Sequence, residues 1–443
     1  MPGQQPTPLD RAVSDEVRAL QARAHSLIPG GAHTYAKADD QYPTNAPPFL
    51  VRGLGCHVWD HDGNEFLEYG MGLRSVSLGH AFPPVVAAVT RALALGTNFG
   101  RPSPVEVEAA EVTLATIGRG DMVKFAKNGS DVTTAAVKLA RAFTGRDLIA
   151  ICRDQPFLST DDWFIGTTLL PAGIPDPIRS LTTTFQYNDI QSLERLFDAF
   201  PNRIAGVILE PENMVAPAGN FLNDVAALCT RRGALLIFDE MITGFRWSNG
   251  GAQEVYGVTS DLATYGKALA NGFALSALVG RREVMALGGL DHPAQRVFLL
   301  STTHGAELHS LAAGLATMRF YQEHPVVEQL HSRGRRLRTG VDQAIDRNGL
   351  RGKVAILGRD SNLVFATRDA EGQPSQTFRT LFMQELVRAG ILAPSFVVSY
   401  SHTEADIDRT IEAVDRTLGV YRRALDSGPE RFLHGRSVRP VFR

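Results

Sequence analysis

Lys267 stands in "SDLATYGKALANGF" (260–273), with Gly266, Ala268 and Ala270 around it. Only six of the 45 basic residues are lysine, so arginine supplies nearly all of the generic surface charge. A lysine retained against that bias, in surroundings this small and apolar, points to a need for its amine. An amine in a partly apolar pocket gives up its proton more readily and adds to an aldehyde to form a Schiff base. The small neighbours leave room for a flat ligand beside it. Taken alone, Lys267 would read as a surface charge.

Two further stretches carry complementary chemistry. Asp239 ends the apolar run "ALLIFDE" (234–240), 28 residues before Lys267. A buried carboxylate there can keep a heteroaromatic nitrogen protonated, which makes the ring an electron sink; a loop-entry or capping carboxylate is the alternative. In "KFAKNGSDVTTAAVKLARAFTGR" (124–146), the turn Asn128-Gly129-Ser130 opens a stretch of helical spacing. Free N–H groups and the positive dipole end at such a start bind phosphate, while a plain N-cap by Ser130 or Asp131 fits the segment equally well. GxxxxGK[ST] spacing does not occur, so this is not a Walker loop. Amine, pyridinium carboxylate and phosphate cradle are together what pyridoxal 5'-phosphate (PLP) requires, each for a different part of the molecule.

The elements that must position these groups follow from periodicity. "IAGVILEP" (204–211) is a short β-rich run, "NDVAALCTRRG" (223–233) an amphipathic helix closed by glycine, and "ALLIFDE" the next buried strand. This βαβ spacing predicts an α/β fold with a mostly parallel sheet covered by helices. Ligands of such sheets sit beyond the carboxyl ends of the strands. "FLVRGLGCHVWDHDGNEFLEYG" (49–70) reads as short strands with a turn at Asp62-Gly63, preceded by helical spacing over 10–27. From about 316 the pattern changes to a long helix, the strands "VAILG" and "NLVFATR", and a final helix near 404–425. The expected division is an N-terminal segment (1–80) packed with the small domain and shaping the substrate site, a large cofactor-binding domain (81–315), and a smaller α+β C-terminal domain (316–443) ending in the tail "SGPERFLHGRSVRPVFR".

Composition narrows the class. The 443 residues exceed one ordinary core, so two lobes are expected. A formal net charge of -2 gives no electrostatic case for nucleic acid or an anionic membrane. "MPGQQPTPLD" lacks the basic and apolar regions of a secretory signal, and no apolar run approaches the roughly 20 residues that span a bilayer. Cys56, Cys152 and Cys229 are odd in number and far apart, which reads as free thiols in a reducing compartment and neither a disulfide framework nor a metal site. A cytoplasmic enzyme is expected, without a metal.

The motifs "LLIFDEMITGFR", "TYGKALANG", the turn before "KLARAFTGR" and "VWDHDGNEFLEYGMGLRSVSLGH" resemble class III PLP-dependent aminotransferases, in particular the glutamate-1-semialdehyde aminomutase branch. The likeness runs from about residue 27 to "SHTEADIDRTIEAV". It implies fold type I, and a homodimer whose active sites are shared. It implies that Lys267 forms the Schiff base and moves the proton between substrate and cofactor, that Asp239 pairs with the pyridine nitrogen, and that Asn128, Gly129 and Ser130 hold the phosphate. Thr303, with Thr302, would complete the phosphate site of the neighbouring subunit, and Glu210 in "ILEPENM" would lie near the cofactor.

The departures concern the substrate. Where the branch carries an aromatic that stacks on the ring, "CRDQPFLSTDDWFIGTT" (152–168) has Gln155 and Pro156; Phe157 could supply the stacking surface or belong to the core. The loop "GGAHTYAK" (30–37), with Thr34, puts Lys37 where the branch has a carboxylate-binding arginine, a point charge in place of a bidentate fork. A Ser-Trp pair becomes Gly72-Leu73, followed by Arg74, which is either a relocated anion clamp or a solvated charge. "LAPSFVVSYSHT" is shorter than its counterpart and lacks the acidic or arginine residue found there. These changes argue against glutamate-1-semialdehyde as substrate. The expected function is transfer of an amino group from a small-molecule donor to a keto or aldehyde acceptor, a specialised metabolite or sugar derivative. An intramolecular aminomutase and a PLP-binding protein without turnover are the alternatives. "RGLGCHVW" offers only a fragment of a dinucleotide-binding fingerprint and opens no helix.

Overall fold

A computed structural model of the chain describes residues 13–155, 157–293 and 295–442. The opening "MPGQQPTPLD", the first residues of the helical spacing from 10, and Pro156 lie outside the described residues. The chain divides into two compact units, one spanning Pro83–Val327 and the other made of the chain up to Phe82 together with the chain from Glu328.

The Pro83–Val327 unit is built on seven strands: β1 (Met122–Ala126), β2 (Leu148–Cys152), β3 (Thr182–Phe185), β4 (Ile204–Leu209), β5 (Leu235–Asp239), β6 (Leu262–Tyr265) and β7 (Ser276–Gly280). Their order in the sheet is β1-β7-β6-β5-β4-β2-β3. All neighbours are parallel except β7, which runs antiparallel to both β6 and β1. Every residue of β2, β4 and β5 is buried, as expected of parallel strands covered on both faces, and this explains their unbroken apolar runs. Helices return the chain between strands; Phe221–Arg232 ends at Gly233 with φ 65°, a left-handed cap that glycine takes without a Cβ penalty. Phe185, Leu193, Phe221, Leu228 and Phe238 pack one of the sheet's apolar layers.

Because β1 and β6 run in one direction and β7 in the other, the carboxyl ends of β1, β2, β4, β5 and β6 and the start of β7 share one edge. Helix α1 (Gly129–Thr144) leaves that edge directly after β1.

In the other unit, strands Leu50–Leu54, His57–Asp60 and Glu65–Glu68 pair antiparallel in sequence, and Ile391–Leu392 joins Glu65–Glu68 in parallel. N-terminal and C-terminal segments thus share one sheet. The turn between the second and third strands has Gly63 at φ 81° and closes with Gly63 N–H donating to Asp60 O at 3.1 Å. Helices α2 (Gln376–Arg388) and α3 (Glu404–Ser427) pack on each other, and Val354–Leu357 pairs with Val364–Thr367. Cys56, Cys152 and Cys229 are buried free thiols. Among the described residues no helix is long and apolar enough to cross a membrane.

Candidate active site

Asp239 closes β5 and is 3% exposed. The Met241 N–H donates to its Oδ1 at 2.9 Å. Burial pushes its carboxyl up to about 6, against the opposing pull of the Lys267 charge and the Met241 N–H. The next residue, Glu240, has a different task. It is fully buried, accepts the N–H groups of Ala252 (2.8 Å) and Gln253 (2.9 Å) and the Thr243 hydroxyl, and pins the turn after residue 249. Two adjacent carboxylates therefore point to separate environments, as alternation along a strand end requires.

Lys267 follows β6 by one glycine and opens the tight turn Lys267–Ala270. Ala268, Leu269 and Ala270 are buried, so the turn is fixed, while Lys267 is half-buried. Its backbone has φ 43°, in the left-handed region that a long side chain rarely occupies. Strain of this kind persists only where the surrounding structure over-determines it. Tyr265, two residues earlier, is fully buried, donates its hydroxyl to Gly250 O at 2.9 Å and accepts from Gln253 Nε2 at 2.7 Å.

Met241 brings the pieces together. Its Sδ lies 3.2 Å from the point a Cβ would occupy on Gly129 and 2.6 Å from that on Gly266. One thioether thus touches the first residue of α1 and the residue before Lys267, two positions beyond Asp239. Met241 was not read from sequence; its only signal is adjacency to the carboxylate.

At the start of α1, the N–H groups of Gly129 and Ser130 have no acceptor among the described residues. Asn128 is exposed; its N–H donates to Asp131 Oδ2 at 2.8 Å and its carbonyl accepts from the Ser276 hydroxyl at 2.8 Å, tying the turn to β7. The Ser130 hydroxyl accepts from Thr160 N–H at 2.9 Å, and Thr133 Oγ1 donates to Leu158 O at 3.0 Å. The segment 157–160 is thereby held against the first turns of α1. Phe157 is 44% exposed there and meets Phe164 edge-on at 5.8 Å.

Gln155, at the position of the expected aromatic, is buried and serves the backbone. Its Oε1 accepts from Glu210 N–H at 2.7 Å and its Nε2 donates to Glu210 O, joining the carboxyl ends of β2 and β4. The Glu210 carboxylate is buried just beyond β4 and accepts from Asn213 Nδ2. Thr302 and Thr303 are exposed, and Thr303 O accepts from Asn98 Nδ2 at 2.8 Å. No hydrogen bond joins either threonine to residues 128–130 among the described residues.

In the other unit, Thr34 and Lys37 are exposed at the two ends of one tight turn, closed by Lys37 N–H donating to Thr34 O at 2.8 Å. Arg74 Nε donates to Asn362 Oδ1 at 2.8 Å. The four residues from Met71 to Arg74 all have positive φ (42°, 58°, 58° and 72°), a left-handed turn that nothing but Gly72 announces in sequence.

A family model, Aminotransferase class-III, matches residues 38–415. The chain belongs to the class III aminotransferases. A glutamate-1-semialdehyde 2,1-aminomutase of Desulforamulus reducens is 34% identical over 414 residues, 88% of this chain and 94% of the relative. Among solved structures, the FumI protein of Sphingopyxis sp. MTA144 in its PLP internal aldimine form is 28% identical, with a TM-score of 0.85 over 95% of this chain and all of that one. An omega-transaminase from Sphaerobacter thermophilus is 26% identical, with a TM-score of 0.83 over 92% of this chain and 98% of that one. As a class III aminotransferase of fold type I, this protein is a PLP-dependent enzyme acting on small-molecule amino and carbonyl substrates.

Proposed function

We propose that this class III aminotransferase passes an amino group from a small-molecule donor to the keto or aldehyde carbon of a separate acceptor, a specialised metabolite or sugar derivative. The observation that carries this reading is that Met241, two positions beyond buried Asp239, stands against both Gly129 at the start of α1 and Gly266 before Lys267, which gathers carboxylate, amine and helix start at one strand edge.

The residues present fit the cofactor. A carboxylate pushed up to about 6 by burial is a costly anion that a protonated ring nitrogen would neutralise. The unsatisfied Gly129 and Ser130 amides, with Asn128 at the turn, suit its phosphate, and Phe157, exposed in the segment held against α1, is assigned to its ring face. Glu210 is assigned to its surroundings, and Thr303 with Thr302 to the phosphate site of a second copy in a homodimer. When bound, the cofactor supplies an aldehyde for amines and an electron-withdrawing ring. Lys267 Nζ accepts the proton leaving the carbon that bears the donor's nitrogen and delivers one to the acceptor carbon in the second half-reaction. The left-handed backbone at Lys267 and the buried small residues after it fix the point from which that side chain reaches out. Thr34, Lys37 and Arg74 are assigned to the substrate.

The aminomutase alternative draws on the likeness to the Desulforamulus reducens aminomutase at 34% identity. Lys37 and the Gly72-Leu73-Arg74 stretch weigh against it, since they change the residues that would hold glutamate-1-semialdehyde. The deciding experiment incubates PLP-loaded protein with a panel of amines and no acceptor, following the cofactor's visible absorption and release of the deaminated product. Bleaching with stoichiometric product release supports transamination. Turnover of a single substrate with no donor required favours the mutase, and no response to any amine leaves a binding protein.

A further inference from the structure

A cavity of about 280 Å³ lies within the unit formed by the two ends of the chain. That is roughly the volume of nine waters, enough for a small organic molecule. Three arginines line it (Arg74, Arg379 and Arg439) together with Tyr42, and no carboxylate does.

Arg379 is the centre of the argument. It sits on α2 in register with Phe382, Met383 and Leu386, on the helix's buried face. Its Nη2 donates to Pro394 O at 2.6 Å, its Nη1 lies 3.4 Å from Phe365 O, and its guanidinium stacks on the Phe365 ring at 4.6 Å. Among the described residues no carboxylate pairs with it. A partly buried cation served only by carbonyls and a ring, with a second guanidinium nearby, is destabilised unless an anion joins it. Burial, and after it the Arg74 charge, bring its pKa down to about 10. The Tyr42 hydroxyl makes no hydrogen bond among the described residues and stands close enough to Arg379 to feel its charge.

The wall is supplied by the C-terminal tail, which is fastened deliberately. Val438 N–H donates to Thr380 Oγ1 at 2.8 Å and Arg439 N–H to Asp40 O at 3.0 Å, while Gln41 Nε2 donates to Arg439 O at 2.9 Å. Val438, Arg439 and Pro440 therefore line the cavity together with Gln376 and Arg379 of α2.

We propose that this cavity is an oxyanion site, in which Arg379 and Arg74 grip the carboxylate or phosphate of a small organic ligand, with Tyr42 and Arg439 at its margin. Guanidinium forks match both oxyanions bidentately. That the ligand is a substrate's acid group rests on the transamination reading; the site itself does not.

Calorimetric titration of the PLP-loaded full chain with succinate and with inorganic phosphate, at fixed ionic strength, tests the site. At least one probe is expected to bind, and the stronger identifies the acid class. Arg379→Gln should weaken that binding about ten- to hundredfold, and Arg439→Gln, an exposed change that spares the fold, several-fold. Absence of binding by both probes, or affinities unchanged in folded variants, overturns the proposal. Turnover is measured separately on amines with and without an acid group. Binding through Arg379 in a protein that converts no amine keeps the site and removes the reaction; turnover with binding indifferent to Arg379 does the reverse.

Discussion

The Sδ of Met241 lies 2.6 Å from where a Cβ would stand on Gly266, the residue before Lys267. A side chain at 266 must therefore push Met241 toward Gly129, where its Sδ already stands 3.2 Å from the ideal Cβ, or move the Lys267 turn. Overpacking of this kind costs about 1–3 kcal/mol. Gly266→Ala is expected to lower PLP affinity about tenfold or more, measured by cofactor titration. Adding Met241→Ala should recover part of the loss; a double variant no better than the single would place the damage elsewhere.

Lys267→Ala is expected to abolish turnover while the protein still folds and retains PLP non-covalently. Since residue 267 sits at φ 43°, a Cβ there is strained, by roughly 1 kcal/mol. Lys267→Gly should be equally inactive yet melt no lower than Lys267→Ala. Residual turnover in either variant would remove the catalytic assignment.

Asp239 predicts a pH dependence of the cofactor-free protein. Its folded carboxyl is raised to about 6 from 3.8, so the folded state binds its proton more tightly than the unfolded one. Stability from this group is then greatest at low pH and declines as pH rises from about 4 to about 6, by up to ~3 kcal/mol. Asp239→Asn should remove that slope. Chemical denaturation of both proteins from pH 4 to 7 gives the comparison, and parallel curves would contradict it. Glu240, raised to about 7 by burial and in small part by the Asp239 charge, adds a slope of the same sign to both proteins, slightly shallower in Asp239→Asn.

Gln155 and Phe157 separate a structural from a cofactor role. Gln155→Ala leaves the buried Glu210 N–H and carbonyl without their partner, for a loss of about 2 kcal/mol in thermal unfolding. Phe157→Ala, at a side chain 44% exposed, should cost under about 1 kcal/mol but alter the absorption or affinity of bound PLP. A Phe157→Ala protein with unchanged cofactor properties would assign ring stacking to another residue.

What the sequence could announce was local. "ALLIFDE" reads as a buried strand because its apolar run ends abruptly in a carboxylate, and Asn128-Gly129-Ser130 marks a helix start by its turn residues. Lys267 is visible through its small neighbours. The rest depends on partners distant in the chain. Gln155 meets the Glu210 backbone across 55 positions, and Gln41 meets the tail across 398. The left-handed turn at Met71–Arg74 falls on residues that avoid such φ values, just after Tyr69, whose N–H donates to Leu392 O and whose carbonyl accepts from Val397 N–H. Arg379 did leave a trace, an arginine on the apolar stripe of a helix, but only the cavity beside it gives that trace a meaning.

The proposal that two copies share each active site is testable by mixing. Lys267 and Thr303 are assigned to one site but to different copies of the chain, and among the described residues of one copy no hydrogen bond joins Thr303 to the start of α1. Lys267→Ala and Thr303→Arg should each be inactive alone, the second by crowding the phosphate of the neighbouring subunit's site. In a mixed dimer of such a pair, one site carries both lesions and the other carries neither. Unfolding and refolding equal amounts together makes half the dimers mixed, so roughly a quarter of wild-type activity should return. Size exclusion of the refolded mixture establishes the dimer independently. Activity that stays at zero in a sample shown to contain mixed dimers would mean that Thr303 serves the site of its own chain.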